Sequence, residues 1–340
     1  MMKKSISFLA VSLLLLNSCK NNPTKESANF VNQLSIENTF SYLQDFQKIA
    51  DENKGNRAVG TPGGIASSRY IVETLKKMGL NPVVQDFTNI KGQNGTNVIV
   101  EIKGQTDKVT MLGGHFDSVE FGPGINDNAT GVAILLEMIA QITANKIVPK
   151  TTLRFAFWDS EEIQVGGSRY YVSKLSAQEK QQLVQYINID MVGTKDPTAL
   201  ITDGDGSSWK NLEERFLENA KTDEEKNVAK QTIEALKKNY PKQVVGAEKL
   251  EKLYSDYLKT KNIEFKDDYL LSNNSDILPF LGVTPAIGIV MTNEKMDDAG
   301  ELLYAPCYHK PCDNISNVDK KSLQIAMESI AYLLNEVGVK

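Results

Sequence analysis

This 340-residue sequence has two histidines, and each has potential metal ligands close by in the sequence. His115 follows an apolar stretch and is two residues before Asp117. In an extended segment these two side chains point the same way, and a ligating histidine commonly donates its second ring N–H to a carboxylate. Asp117 is therefore the predicted partner of His115. The other histidine, His309, lies between two cysteines in the stretch 307–313.

Carboxylates occur where predicted strands and loops end. Asp127 lies in the loop 124–131, just before a predicted helix, and the adjacent Glu161 and Glu162 follow an apolar strand. Asp190 lies in the apolar run 186–191, where an aspartate is costly to bury unless it is paired or bound to a metal. Strand ends are where α/β proteins place ligands. Of two adjacent glutamates, one can bind a metal while the other acts as a base on metal-bound water.

Each of these features alone is common among surface residues or among buried polar residues with ordinary hydrogen-bond partners. Together they supply two histidines, three carboxylates and a spare glutamate. Five such ligands, one of them bridging, suit two zinc ions that share a water molecule. A mixed imidazole and carboxylate set without thiolates favours a catalytic zinc site over a structural one.

The elements that must position these residues alternate along the chain. Helical spacing of apolar residues predicts helices over 36–50, 64–78, 131–143, 167–175 and 323–337. Apolar runs predict strands at 83–84, 97–102, 109–112, 152–158, 186–191 and 286–291. This order predicts an α/β domain over residues 36–340, with helices on both faces of its sheet.

Residues 207–270 interrupt the alternation. They are highly charged and helical in pattern, and Thr222 with Glu225 predicts a capping box. We interpret this stretch as a helical insertion. A lid beside the site and a solvated helical excursion are both compatible with it.

The N-terminus is typical of an exported protein. Lys3 and Lys4 precede a short apolar run, which predicts a secretory signal over residues 1–18. Leu16-Asn17-Ser18-Cys19 resembles a bacterial lipobox, which implies lipidation of Cys19 and a membrane surface as a partner, with residues 19–35 as a polar tether. An ordinary signal with an incidental cysteine is the alternative. The expected location is the periplasm or the cell surface.

Charge and cysteines narrow the classes further. The formal charge is −5, and no basic stripe is present, which argues against nucleic acid as a partner. Cys307 and Cys312 are predicted to form a local disulfide, because disulfides persist in exported proteins. Two free thiols are the alternative. Nothing in the sequence fixes the oligomeric state, and a monomer is favoured.

The ordered set of motifs resembles peptidase family M28, and most of all its secreted bacterial leucine-type aminopeptidases. The matching elements are His115-x-Asp117, the loop 124–131, Glu161-Glu162, Asp190-Met191, Ser275-Asp276-x-x-Pro279-Phe280 and Tyr308-His309. The resemblance covers roughly residues 36–338 and is weakest over 207–270. It implies a single domain with a mixed central β-sheet between helices, and peptides as substrates.

The resemblance also implies a role for each residue. His115 and Asp190 would hold one zinc, Glu162 and His309 the other, and Asp127 would bridge the two. Glu161 would be the general base, Tyr308 would donate a hydrogen bond to the oxyanion, and Asp117 would orient His115. The family often has a cis peptide after the bridging aspartate.

The sequence departs from the family near the substrate. Ile277 follows Ser275-Asp276 where members often have histidine, and Asn274 stands where some relatives carry arginine. Met191 and the loop 307–312 are predicted to line the pocket for the substrate side chain. An apolar pocket would favour an apolar N-terminal residue.

The preferred interpretation is a two-zinc aminopeptidase, and three alternatives stay open. A carboxypeptidase of the same family needs a basic group for the terminal carboxylate, which the sequence does not locate, and a dipeptidase-like preference for short peptides is open as well. A glutaminyl cyclase uses a related site with one zinc, so zinc stoichiometry discriminates it. A binding protein without activity gives no reason for all the ligands and the base to occur together.

Overall fold

A computed structural model describes residues 27–239, 242–268, 274–296 and 302–340. Its centre is an eight-stranded sheet in the order β1-β2-β4-β3-β5-β8-β6-β7. Pairs β3–β4, β3–β5, β5–β8 and β6–β7 are parallel, and β1–β2, β2–β4 and β6–β8 are antiparallel. The strands are β1 (Val83–Thr88), β2 (Asn94–Ile102), β3 (Thr106–His115), β4 (Thr151–Trp158), β5 (Leu183–Asp190), β6 (Thr198–Thr202), β7 (Phe265–Asp268) and β8 (Ala286–Thr292).

Helices and short strands complete the described chain. The α-helices are α1 (Ile36–Glu52), α2 (Pro62–Lys77), α3 (Thr130–Ala144), α4 (Gly166–Lys174), α5 (Ala177–Gln182), α6 (Ser208–Asn219), α7 (Asp223–Asn239), α8 (Ala247–Thr260) and α9 (Lys320–Leu334). Short 3-10 helices span Ser27–Gln33, Leu278–Phe280 and Ile315–Asn317, and π-helical turns span Ile125–Ala129 and Asn335–Val339. A small ribbon joins β9 (Lys295–Met296) to β10 (Leu302–Leu303).

The sheet buries both faces, as the sequence predicts. Side chains alternate along each strand, so Val98 and Val100 join the core under α1, α2, α3, α8 and α9, whereas Ile99 joins the core on the opposite face. That second core includes Trp158 and Tyr186. Covering on both faces explains why the central strands are almost wholly apolar. No helix in the described ranges is both long and apolar enough to cross a bilayer.

Two predicted boundaries differ from the structure. Of the predicted tether 19–35, residues 27–33 form a helical turn that contacts α3 and α9, and Phe30 is fully buried in the main core. The domain therefore begins before residue 36, because an aromatic side chain in this polar segment gains free energy by burial. The signal over 1–18 and Cys19 lie outside the described residues.

The stretch 207–270 divides into two parts. Helices α6 and α7 pack on each other, and the Thr222–Glu225 capping box is formed. In contrast, Leu250, Tyr254 and Leu258 of α8 are buried in the main core, and β7 forms one edge of the central sheet. Only α6 and α7 thus fit the description of an insertion. The charged surface of α8 conceals an apolar stripe that packs on the domain.

Candidate metal centre

Parallel pairing brings the predicted ligands to one edge of the sheet. In the register between β3 and β4, His115 is opposite Trp158, after which the turn with Glu161 and Glu162 begins. Strand β5 pairs with the other side of β3 and ends at Asp190. Because neighbouring parallel strands end at the same edge, residues far apart in sequence become neighbours there.

Asp127 lies between two groups of ligand atoms. Nε2 of His115 is 3.3 Å from Oδ1 of Asp127 and 3.5 Å from Oδ1 of Asp190. Nε2 of His309 is 3.3 Å from Oδ2 of Asp127 and 3.1 Å from Oε2 of Glu162. The His115 side chain is 1% exposed and that of His309 is 37% exposed. One group is therefore deep and the other opens to solvent, and the Asp127 carboxylate faces both.

These residues fit two divalent cations. In each group the candidate ligand atoms lie within 4.8 Å of one another. Nε2 of His115, Oδ1 of Asp190 and Oε1 of Glu162 are buried without a hydrogen-bond partner, which is unfavourable unless a further partner binds them. Imidazole nitrogens with carboxylate oxygens form the donor set of catalytic zinc sites.

The loop that carries Asp127 has an unusual backbone. Gly124 has φ of 62°, and a Cβ atom there would lie 2.5 Å from the carbonyl oxygen of Asp127. The Asp127–Asn128 peptide bond is cis. The Asn128 side chain donates to the carbonyl of Ile189 at 2.8 Å and accepts from the amide of Met191 at 3.3 Å. Asn128 thus holds the Asp127 loop against the residues on either side of Asp190.

Asp117 contacts His115 differently from the prediction. Nδ1 of His115 hydrogen-bonds to the backbone carbonyl of Asp117 at 3.1 Å, whereas the Asp117 carboxylate is 3.5 Å from Nδ1. That carboxylate instead accepts the backbone N–H groups of Glu161 at 3.0 Å and Glu162 at 3.4 Å. Its two oxygens are occupied by the turn, so the main chain of residue 117 orients the histidine and its side chain orients the glutamates.

Asp190 is fixed by a buried chain of polar groups. Ser275 donates its hydroxyl to Oδ2 of Asp190 at 2.6 Å and accepts from Nδ2 of Asn188 at 3.0 Å. The hydroxyl of Tyr186 donates to Oδ1 of Asn188 at 2.8 Å, and it accepts Nε1–H of Trp158 at 2.9 Å. With Oδ2 engaged by Ser275, Oδ1 of Asp190 is left to face His115.

Crowded carboxylates shift the acid–base equilibria of the centre. Burial and the neighbouring Glu162 carboxylate raise the pKa of Glu161 well above its ordinary value. Burial and Asp127 raise the pKa of Glu162 to about 7. Burial alone would lower the pKa of His309, but hydrogen bonds to Asp127 and Glu162 raise it to about 10. The clustered carboxylates give this centre an excess of negative charge, which favours the binding of cations.

A cavity adjoins the two groups. It contains the predicted substrate residues Met191 and Asn274. Tyr308 lies there too: its ring stacks on His309 at 3.8 Å and meets Tyr304 edge to face at 5.4 Å. Burial, followed by the carboxylate of Asp127, raises the pKa of Tyr308, which keeps its phenol protonated as a hydrogen-bond donor. The full lining is Asp127, Glu161, Asp190, Met191, Asn274, Ser275, Val290, Tyr304, Tyr308 and His309.

The disulfide predicted between Cys307 and Cys312 is present, with the two Cα atoms 5.3 Å apart. Cys307 and His309 both have positive φ, of 62° and 55°. Such a backbone is unfavourable for these residue types unless the surroundings enforce it. The disulfide closes the loop around His309, and the N–H of Lys310 donates to the carbonyl of Cys307 at 3.0 Å within it.

Sequence reasoning did not single out Arg57, which is fully buried. Its guanidinium donates to the carbonyls of Phe116, Pro123 and Gly124 and lies 5.1 Å from the centre of the Phe46 ring. Those carbonyls belong to the segment between His115 and Asp127. An arginine in a polar stretch carries no sign of burial in the sequence, because its partners are backbone groups about 60 residues away.

Comparison with known proteins agrees with this architecture. The model of a family described as Peptidase family M28 matches residues 97–334. The sequence is 29% identical over 316 residues to leupeptin-inactivating enzyme 1 of Streptomyces exfoliatus, which covers 90% of this chain and 62% of that protein. It is 31% identical over 248 residues to an aminopeptidase of Pseudomonas aeruginosa, which covers 70% and 40% respectively. The chain thus spans less than two thirds of either relative.

Solved structures share the fold. An aminopeptidase from Aneurinibacillus sp. strain AM-1 superposes with a TM-score of 0.68 at 16% identity, over 92% of this chain and 96% of that one. A glutaminyl cyclase from Porphyromonas gingivalis superposes with a TM-score of 0.63 at 20% identity, over 89% and 99%. The fold alone does not separate these two activities. The family model covers more than half of the sequence, and the chain belongs to peptidase family M28.

Proposed function

We propose that this protein is a two-zinc aminopeptidase that releases apolar N-terminal residues from peptides. The observation that carries the proposal is the position of Asp127, whose two carboxylate oxygens face His115 and His309 separately, each at 3.3 Å. His115 and Asp190 would hold one zinc, and Glu162 and His309 would hold the other. A centre with one zinc would leave one of these two ligand pairs without a metal ion.

Two zinc ions in these positions would polarise the substrate carbonyl and acidify a water molecule. Glu161 would accept a proton from the attacking water and return it to the leaving amine. Burial and the Glu162 carboxylate raise its pKa, which favours uptake of the proton in the first of these tasks. The backbone amide of Glu161 is fixed by Asp117, which limits its movement.

Tyr308 would donate its phenolic hydrogen to the oxyanion that forms on the carbonyl oxygen. The free α-amine of the substrate would be recognised by the carboxylates of Glu161 and Asp190, which line the cavity. The N-terminal side chain would enter the part of the cavity near Met191 and Val290, both of which pack with Tyr304 in one apolar cluster. Apolar walls support a preference for apolar residues.

A preference for short peptides is a second candidate. No lysine or arginine is among the described residues that line this cavity, which disfavours recognition of a carboxylate there. Lys310, however, directly follows His309 and lines a narrow cleft together with His309 and Glu162. A lysine next to this position suits the terminal carboxylate of a dipeptide, which supports a dipeptidase-like preference.

The test compares substrates on one purified sample. Leucine p-nitroanilide, its N-acetyl form, a leucyl dipeptide and a longer leucyl peptide are offered, together with a peptide that begins with glutamine. The proposal predicts hydrolysis of free-amine substrates and none of the acetylated one. Loss of ammonia from the glutamine peptide without hydrolysis of the others would establish a cyclase, and faster cleavage of the dipeptide alone would favour the second candidate.

We also propose that the protein is exported and lipid-anchored through Cys19. The support is the sequence of residues 1–19 alone. Metabolic labelling with a radioactive fatty acid should mark the wild-type chain but not Cys19→Ala. Equal labelling of both would exclude Cys19 as the attachment site.

A further inference from the structure

We propose that Asp313 is a positioning residue that sets Asp127 and His309 relative to each other. The inference rests on the proposed metal centre. Asp313 is 3% exposed, and its two carboxylate oxygens accept adjacent backbone N–H groups. Oδ1 accepts from Asn126 at 3.0 Å and Oδ2 accepts from Asp127 at 3.1 Å. The backbone carbonyl of Asp313 also accepts the N–H of Ile125 at 3.0 Å, so one residue holds three consecutive amides.

These amides need such a partner. Asp127 has φ of −108° and ψ of 91°, which are not helical values, so the loop cannot use its own carbonyls as a regular helix does. A buried N–H without an acceptor costs about 1–3 kcal/mol. A carboxylate with two free oxygens can serve two adjacent amides at once, whereas a side-chain amide has a single acceptor oxygen.

The same segment presents His309. Asp313 follows Cys312, where the disulfide closes the loop, and its own N–H donates to the carbonyl of Lys310 at 3.0 Å. The loop that carries His309 therefore ends at Asp313, whose carboxylate accepts the N–H of Asp127. The distance of 3.3 Å between Nε2 of His309 and Oδ2 of Asp127 is set through this short connection. Neither ligand can move without straining the other.

Asp313 does not line the cavity that adjoins Tyr308, and it is neither a proposed metal ligand nor a proposed proton carrier. Its third carboxylate partner is Nδ2 of Asn317, which donates to Oδ1 at 3.1 Å. Asp313 would therefore act on the metal ligands by positioning the backbone of Asp127. Groups that orient metal ligands in this way typically change metal affinity by roughly 10- to 100-fold when they are replaced.

The test uses Asp313→Asn in the full chain, with zinc affinity measured by competition with a chromophoric chelator and thermal stability measured by circular dichroism. Glu137→Gln is the matched control, because Glu137 is fully buried, accepts the N–H of Ser35 at 2.8 Å and lies in the middle of α3. We expect Asp313→Asn to weaken at least one zinc by about tenfold or more. We expect Glu137→Gln to lower stability while leaving both zinc affinities unchanged.

Equal zinc affinities in Asp313→Asn and wild type, with a loss of stability like that of the control, would overturn the proposal and leave Asp313 a structural residue. If Asp313→Asn does not fold, Asp313→Glu carries the test, because it keeps both oxygens but displaces them, and the same loss of affinity is expected. Zinc binding is measured without a peptide. A wild type that binds two zinc ions and cleaves no peptide would therefore refute the aminopeptidase and not the role of Asp313.

Discussion

Tyr186 donates its hydroxyl hydrogen to Oδ1 of Asn188 at 2.8 Å, two residues along the same strand. This bond lies within the buried chain that begins at Trp158 and ends at Asp190. Three of the side chains that fix this strand end, Trp158, Tyr186 and Asn188, do not line the cavity. The chain of bonds directs a single carboxylate oxygen of Asp190 towards His115.

Tyr186→Phe should disturb Asp190 from a distance. The substitution removes one acceptor for Nε1 of Trp158 and one donor for Asn188, and each unsatisfied buried group costs about 1–3 kcal/mol. Stacking on Phe280, with ring centres 3.7 Å apart, would remain. We expect a lower melting temperature and weaker zinc binding. Tyr254→Phe is the control, because its hydroxyl is also buried and hydrogen-bonds to Ser329 at 2.9 Å in the helical core, away from the metal ligands. Equal zinc affinity in the two variants would contradict the account.

Glu161→Gln should abolish turnover and keep the metals. The amide cannot take up a proton at neutral pH, and loss of a general base typically costs about 100- to 10,000-fold in rate. His309 and Asp127 remain in place, so the metal content of the purified variant should equal that of wild type. Cleavage rates and metal analysis on one sample test both halves. A variant with near wild-type cleavage would show that another group moves the proton.

Zinc binding should displace protons and become tighter as pH rises. Without a cation, His309 has a pKa of about 10 and Glu162 a pKa of about 7, both above their ordinary values. The folded protein then holds protons that the unfolded chain releases. The stability of the metal-free protein therefore falls as pH rises, between about 4.5 and 7 for Glu162 and between about 6.5 and 10 for His309.

Zinc needs the deprotonated groups, so its apparent affinity should rise by about tenfold per pH unit for each proton displaced. The measurement is the melting temperature with zinc and with a chelator, at three pH values from about 6 to 9. The difference between the two samples should widen with pH. A difference that narrows as pH rises would contradict the assigned proton-bearing ligands.

Removing the disulfide should act mainly on the more exposed metal position. Cys307 and Cys312 are five residues apart, and closing so short a loop contributes about 2 kcal/mol in the chain-entropy view. His309 lies inside the loop and Asp313 directly after it. We expect the double serine variant to stay folded, to keep the zinc at His115 and to lose affinity for the zinc at His309. Metal analysis after dialysis tests this, with wild type reduced by a phosphine in parallel. Two tightly bound zinc ions in the variant would show that the loop is held by other contacts.

Much of the fold could be predicted from periodicity. Apolar spacing predicts a helix over 36–50, where α1 spans Ile36–Glu52, and a strand over 152–158, where β4 spans Thr151–Trp158. Strand β6, Thr198–Thr202, has no such signal, because five residues without alternation do not separate a strand from a loop. Helix α8 shows the opposite limit, since a charged surface conceals the apolar stripe at Leu250, Tyr254 and Leu258.

The residues of the candidate site could be predicted from the sequence for a different reason. His115 and Asp190 stand at the ends of apolar strands, where polar residues are conspicuous. Arg57 and Asp313 are not conspicuous, because their importance comes from burial against backbone groups distant in the chain. Asp117 shows the limit of pattern reasoning within a motif. The two-residue spacing predicts proximity to His115, but only the fold determines that the carbonyl of residue 117 meets the imidazole.

The most direct test of the central claim is a titration of the metal-free protein with zinc while the cleavage of leucine p-nitroanilide is followed. The account predicts that the protein binds two equivalents and that cleavage reaches its maximum only when the second is bound, because Asp127 faces both positions. Full activity at one equivalent, with no second zinc bound at saturation, would contradict the two-zinc centre on which the proposed function depends.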